Sequence, residues 1–292
     1  MTSTSLAMVV LAACLHASWN LMSKHTAAAG VVFVFASSTL ALVAFAPWAL
    51  WIVVQHPIVW TWQVAGCIFL SALINLTYSL CLQRGYQVAD LSVVYPIARG
   101  TGPLLSSICA YMAFSESPTL TGVSGLIGVI TGIGLITTQG NLHAFRRPAG
   151  KLGLFWGGAT GALIAAYTII DASAIKMLDL QPVFFFWSST LLRVAMMAPV
   201  VLRDPAQSLR RMQGNWWLAM GVGLLSTLSY ALILTVLQMG APVSIVAPAR
   251  EMSMMVGTLL GMVILKEHVG PWRLTGCIVL VGGVICLGAA RP

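Results

Sequence analysis

The sequence predicts an all-α integral membrane protein of ten transmembrane helices, built from two inverted five-helix repeats. Three observations predict it. The 292 residues are 59% hydrophobic and only 8% charged, with a mean hydropathy of +0.91, whereas a soluble domain carries about 25% charged residues. The apolar residues gather into runs of spanning length. The runs then repeat: Arg99 and Glu116 recur as Arg250 and Glu267, each shifted by 151 positions. A chain this poor in charge lacks the polar surface to dissolve in water, so lipid must cover its apolar faces.

A spanning helix needs about 20 predominantly apolar residues. Ten runs meet that length, at roughly 6–24, 30–54, 63–83, 89–114, 119–139, 152–175, 181–202, 215–237, 241–265 and 270–289. No Lys or Arg precedes the first run, and it continues past Trp19; a retained helix is therefore expected rather than a cleaved signal. The longest polar stretch, "GNLHAFRRPAGK" at 140–151, falls near the middle. It divides the chain into a first repeat at 1–140, a linker loop at 141–151 and a second repeat at 152–292.

Other matches keep the register. "FASSTL" at 35–40 recurs as "FWSSTL" at 186–191, and Gly125 and Gly132 recur as Gly276 and Gly283. Tyr78, Ser92 and Pro96 match Tyr230, Ser244 and Pro248 at a shift of 152, so a one-residue slip lies between the proline and the arginine. Each half holds five spans, and an odd number forces consecutive halves into opposite orientations. Inverted repeats are an architecture of secondary transporters, whose substrate site lies near the midplane between the halves.

The net charge is +8, but the basic residues fall singly or in pairs between the apolar runs. Without a basic stripe interleaved with aromatics, nucleic acid is not an expected partner. The loops after spans 1, 3, 5, 7 and 9 carry Lys24, Arg84, Arg146, Arg147, Lys151, Arg203, Arg210, Arg211, Lys266 and Arg273. The remaining loops and the termini carry only Lys176 and Arg291. The positive-inside rule then puts the odd-numbered loops in the cytoplasm and both termini outside. The six cysteines show neither CxxC pairs nor zinc-ligand spacing, and read as small buried hydrophobes.

Polar residues inside the spans are the candidates for a substrate cavity. His16, Trp19, Asn20, Ser23 and Lys24 share one helical face; they line a cavity or serve helix contacts, with Lys24 able to snorkel to the interface. Asn75 and Tyr78 follow Ser71 at helical spacing in span 3, and Tyr230 follows Ser226 in span 8. Tyr167 and Asp171 stand one turn apart in span 6; a carboxylate there is costly and either titrates during transport or pairs with Arg193 or His16. Tyr95 and Trp187 complete the aromatic candidates.

Arg99, Arg193 and Arg250 cannot shed their charge, and only Asp171 and Glu251 are evident buried acids to meet them. The surplus favours a substrate bearing a carboxylate, phosphate or phosphonate, unless an arginine reaches interfacial water. Pro96 and Pro248 are candidate hinges. Glu116 and Glu267 each end a run just before the next span and suit a helix N-terminus. The glycines of spans 5 and 10 suit close helix contact, within a monomer or across a homodimer.

No P-loop, HExxH or GxSxG motif and no acid cluster suited to a metal is present. Neither enzyme activity nor a cofactor is expected, and transport would be coupled to an ion or solute gradient.

The duplicated five-span plan, the prolines of spans 4 and 9, and the punctuation "ESPTLTGVSG" and "KEHVGPWRLTG" together resemble the drug/metabolite transporter superfamily. More narrowly, the chain resembles its EamA-type ten-helix exporters over nearly its whole length. The opening "LHASWNLMSKH" is similar to the first-helix pattern of that family, whereas the ending "GAARP" lacks the basic tail of many such exporters. The resemblance implies an alternating-access carrier in a bacterial inner membrane that exports amino acids or related small zwitterionic or anionic metabolites. Phosphonate- or phosphate-bearing metabolites, drugs, and a membrane binding or scaffold protein that moves nothing are the alternatives.

Overall fold

The computed structural model describes residues 2–24, 30–141, 143–146, 148–264 and 270–290. Lys266, Glu267, Arg147 and Arg291 lie outside them, as do the side chains of Lys24, Ser92 and Arg146. The described residues form helices α1 (Ser3–Lys24), α2 (Gly30–Gln55), α3 (Trp62–Val88), α4 (Leu91–Ala113), α5 (Leu120–Thr138) and the short α6 (His143–Arg146). The second half continues with α7 (Pro148–Lys176), α8 (Pro182–Val201), the short α9 (Pro205–Met212) and α10 (Trp216–Gln238). It ends with α11 (Val243–Ala249), a 3-10 turn at Arg250–Met252, α12 (Ser253–Ile264) and α13 (Pro271–Ala289). Among the described residues there is no strand.

Nine of these helical segments are long and apolar enough to cross a membrane, α11, the 3-10 turn and α12 counting as one. The expected fourth span, α4, has the length but not the apolarity. It carries Arg99, Pro96 and Pro103, and it packs between α7, α5 and α11 rather than against lipid alone. The expected linker at 141–151 is mostly helical: α6 occupies its centre and α7 starts inside it at Pro148. The short connection after α8 likewise contains a helix, α9, started by Pro205 and capped by Asp204, whose Oδ1 accepts the Gln207 N–H at 2.9 Å.

The packing pattern maps onto itself when the halves are exchanged. Helix α1 packs on α10 as α7 packs on α3, and α4 packs on α7 as α12 packs on α1. Helices α2 and α8, which share the repeated SSTL motif, pack on each other, and so do α5 and α13. In the last pair the glycines interlock reciprocally. A Cβ on Gly125 would lie 2.7 Å from the Gly283 oxygen, and one on Gly283 would lie 2.8 Å from the Gly125 oxygen. Gly132 and Gly276 face each other the same way, at 2.8 and 2.9 Å. Residue i meeting j′ while j meets i′ is the signature of a two-fold axis, here within one chain. Gly125, Gly132, Gly276 and Gly283 therefore meet one another inside the chain, whereas Gly134 and Gly282 face open space.

Gly283 gives the sharpest packing test. Its Cβ would also meet the Val129 nitrogen at 2.6 Å, so only backbone could yield. Gly283→Ala is expected to cost about 1–3 kcal/mol by overpacking. Its neighbour Gly282 has nothing within 4 Å, so Gly282→Ala should be neutral or gain up to about 1 kcal/mol of helix propensity. Thermal unfolding in detergent checks the contrast; equal shifts for the two variants would contradict the glycine contact.

Candidate functional site

Most polar candidates, carried by α1, α3, α4, α7, α8 and α10, gather around the 3-10 turn, on which α1 packs and to which α4 and α7 reach through side chains. The turn arises from Pro248, which has no N–H to give the carbonyl four residues back. That carbonyl belongs to Ser244, and the Ser107 hydroxyl of α4 donates to it at 3.2 Å. Two residues after the proline the backbone tightens into the 3-10 turn that presents Arg250 and Glu251. Pro96, its counterpart, lies within an uninterrupted α4. The two hinge candidates thus differ: only Pro248 adjoins a change of helix type.

Glu251 is the hub. Its carboxylate is 1% exposed and receives the Arg99 guanidinium at 3.2 and 3.4 Å, an ion pair joining the two repeats. Arg250 is held less firmly. Its Nε lies 3.8 Å from Glu251 and has no hydrogen-bond partner, while one Nη donates to the Tyr167 hydroxyl at 3.4 Å. Aromatic rings cover both cations: Arg99 lies over Tyr95 at 5.5 Å and Arg250 over Tyr167 at 6.0 Å, separations at which a ring quadrupole attracts a cation. Tyr78 packs edge-on to Tyr167.

Tyr167 leads to a second group. Its ring lies 6.4 Å from that of Tyr230, whose hydroxyl donates to Asp171 at 2.5 Å. Asp171 is buried, and its other oxygen has no hydrogen-bond partner. Arg193 of α8 is its electrostatic partner, without a hydrogen bond to its own Nε. On α1, His16 and Trp19 pack edge to face at 4.8 Å, and their Nε2 and Nε1 atoms are buried without partners. His16 lies in the field of Arg99 and Arg250.

Buried polar atoms are normally hydrogen-bonded. Here the sequence candidates His16, Trp19, Asp171, Arg193 and Arg250 each carry a buried polar atom without a hydrogen-bond partner, as does Thr190, which was not a candidate. The charges do not balance either: among the described residues of this centre, the guanidiniums of Arg99, Arg193 and Arg250 face the carboxylates of Asp171 and Glu251. The space beside Arg250 is only about 10 Å³, about the size of one water, so a solute needs α10 and α11 to part. Tyr230 and Asp171 act as one unit: a double-mutant cycle of Tyr230→Phe and Asp171→Asn should show a coupling of about 1 kcal/mol or more in thermal unfolding, and additive effects would contradict it.

Three candidates turn elsewhere. The Asn20 and Asn75 amides donate to the carbonyls of His16 and Ser71 in their own helices, at 2.9 and 3.0 Å. The Trp187 indole donates to the Leu42 carbonyl at 2.9 Å and ties α8 to α2.

Glu116 does cap a helix, but not the one that follows it. Helix α5 is capped by Thr119, whose hydroxyl accepts the Gly122 N–H at 3.0 Å. Ser115, at a φ of 53°, reverses the chain, and the Glu116 carboxylate crosses to the other repeat. There it accepts the Val243 and Ser244 N–H groups at 2.7 and 2.9 Å and the Ser244 hydroxyl at 2.6 Å. Lys176 completes the cluster at 3.3 Å and lies over the Phe114 ring. Sequence reasoning missed Lys176 and Ser244 as partners. The signal available was that Lys176 breaks the loop-charge rule, since it stands apart from the other loop cations.

A model of the EamA-like transporter family matches residues 3–138 and again 151–289. The multidrug resistance protein EbrB of Bacillus subtilis is 38% identical over 85 residues, 28% of this chain and 67% of that protein. EbrB of Bacillus atrophaeus is 38% identical over 74 residues, and the match spans 25% of this chain and 58% of that protein. A crystal structure of another protein shares the fold, with a TM-score of 0.75 over 98% of this chain and 96% of that one, at 15% identity.

Proposed function

The chain belongs to the EamA-like transporter family, and on that premise we propose that it exports amino acids or related small zwitterionic or anionic metabolites. One observation carries the reading: Arg250 is a buried guanidinium held by one long hydrogen bond and a 3.8 Å ion pair to Glu251, a carboxylate it shares with Arg99. A guanidinium offers five N–H donors in a fork suited to a carboxylate. A substrate carboxylate would take up those donors and balance the charge, while the rings of Tyr78, Tyr167 and Tyr230 form the apolar wall. An ammonium group of the same substrate would be drawn to the Asp171 carboxylate, which sits beside the Tyr230 and Ser71 hydroxyls.

Access would alternate as α4 separates from α11 and the 3-10 turn, which it meets at Ser107 and Ser244 and at Arg99 and Glu251, at one end and then at the other. The two-fold relation of the halves supports this, because exchanging their conformations turns one open face into the other. Counterflow of labelled amino acids in proteoliposomes tests the function. Protein-dependent exchange is expected; none across a broad panel of carboxylate solutes, with ligand still stabilising the protein, would replace carrier by binding protein. The likeness to two multidrug resistance proteins favours drugs as the second reading, and efflux of a panel of toxic dyes from expressing cells would select it.

A further inference from the structure

Away from the central cluster, α9 covers an apolar groove that the transport reading does not use. The groove encloses about 330 Å³ between α2, the end of α8 and α9. Pro205, Ser208, Leu209 and Met212 line it from α9; their i, i+3, i+4 and i+7 spacing makes one helical face. From α2 come Phe35, Ala36 and Thr39 among others. Its two hydroxyls both turn to backbone: Thr39 donates to the Phe35 carbonyl and Ser208 to the Val201 carbonyl, each at 2.8 Å. The lining therefore presents carbon alone, which suits a hydrocarbon chain and not a polar solute.

The rim has the opposite character. Arg203 stands in the turn before α9, and Arg210 and Arg211 end the helix, all three exposed. The acid next to Arg203 in the chain, Asp204, is engaged as the helix cap. Trp216 lines the groove and is 45% exposed, with Trp217 beside it at 87%; such indoles sit at the headgroup level of a bilayer. An amphipathic helix with a cationic face and an apolar face belongs in that plane. Loop charges put this end of the molecule in the cytoplasmic leaflet, where anionic lipids attract basic side chains.

We propose that the α2–α8–α9 groove is a binding site for an anionic phospholipid, one acyl chain lying in the groove and the phosphate held by Arg210, Arg211 and Arg203. The site is distinct from the central cluster and does not depend on the identity of the transported solute.

Native mass spectrometry of delipidated protein tests it, with phosphatidylglycerol and phosphatidylethanolamine of identical acyl chains as probes. Phosphatidylglycerol should bind preferentially. Arg210→Gln with Arg211→Gln should lower its affinity by roughly 30-fold, about fivefold for each arginine, and lower that of phosphatidylethanolamine, whose ammonium offsets its phosphate, much less. Both residues are exposed, so the variant should fold, and its thermal unfolding checks that it does. Glycerophosphoglycerol, the headgroup without chains, should not compete. Equal binding of the two lipids by the parent protein, an unaltered preference in the variant, or full competition by the chainless headgroup would each overturn the proposal.

Discussion

Replacing Arg250 by Leu should abolish transport and leave the protein folded, whereas replacing Glu251 by Leu should abolish both transport and stability. The difference follows from the charge arrangement. Glu251 remains paired with Arg99 when Arg250 is lost, so no buried carboxylate is left alone and the desolvation cost of the surplus cation is removed. Removing Glu251 instead strands two guanidiniums, one 8% exposed and the other 15%. Breaking a buried pair this way costs about 3–5 kcal/mol, a large part of a typical folding free energy. Detergent thermal unfolding and proteoliposome flux, measured on the same preparations, separate the two variants. If Arg250→Leu unfolds the protein while Glu251→Leu is tolerated, the assignment of hub and surplus is reversed.

The second large effect is expected at Glu116. Its carboxylate gathers two backbone N–H groups, a hydroxyl and an ammonium from two segments of the second repeat, the start of α11 and the end of α7. Glu116→Gln keeps one acceptor oxygen and turns an NH₂ group toward donors that need acceptors. A loss of about 2–3 kcal/mol is expected, the scale of hydrogen bonds to a charged group. Hydrogen exchange gives the local readout: amides at 243–246 should lose protection in Glu116→Gln. Lys176→Gln should do so less, because the backbone donors keep their carboxylate. Equal loss in both would mean that the ion pair, not the cap, holds this end together. The same cluster joins α11 to the turn after α4, so Glu116→Gln should also change the rate at which that face opens.

How much could be read beforehand depended on whether a property was local. The spans were legible because about 20 apolar residues in a row have few other destinations. The repeat was legible because Arg99 and Arg250, or Gly125 and Gly276, keep a register. That register does not say which residues touch. A two-fold axis pairs Gly125 with Gly283 and Gly132 with Gly276, so sequence equivalents stand apart while opposite ends of the motif meet.

The same geometry explains the hub. Arg99 binds Glu251, the neighbour of its equivalent Arg250, and no helical spacing could have announced a contact 152 positions long. Asp171 was expected either to titrate during transport or to meet Arg193 or His16; the geometry adds Tyr230 as its hydrogen-bond donor. Asn20, Asn75 and Trp187 looked like cavity residues because a buried polar side chain must find a partner. The backbone supplied it, and composition does not distinguish a carbonyl from a substrate. Helix α9 escaped notice because it is short and polar on one face; its apolar face has meaning only against the groove of α2 and α8.

The central claim is that the positive surplus at Arg250 recognises a carboxylate. Competition in amino-acid counterflow measures it most directly. Unlabelled amino acid and its N-acylated form, which keeps the carboxylate, should both suppress exchange in proteoliposomes, and the decarboxylated amine should not. Suppression by the amine as strong as by the parent amino acid, with the N-acylated form inert, would contradict the account and turn the site toward cations.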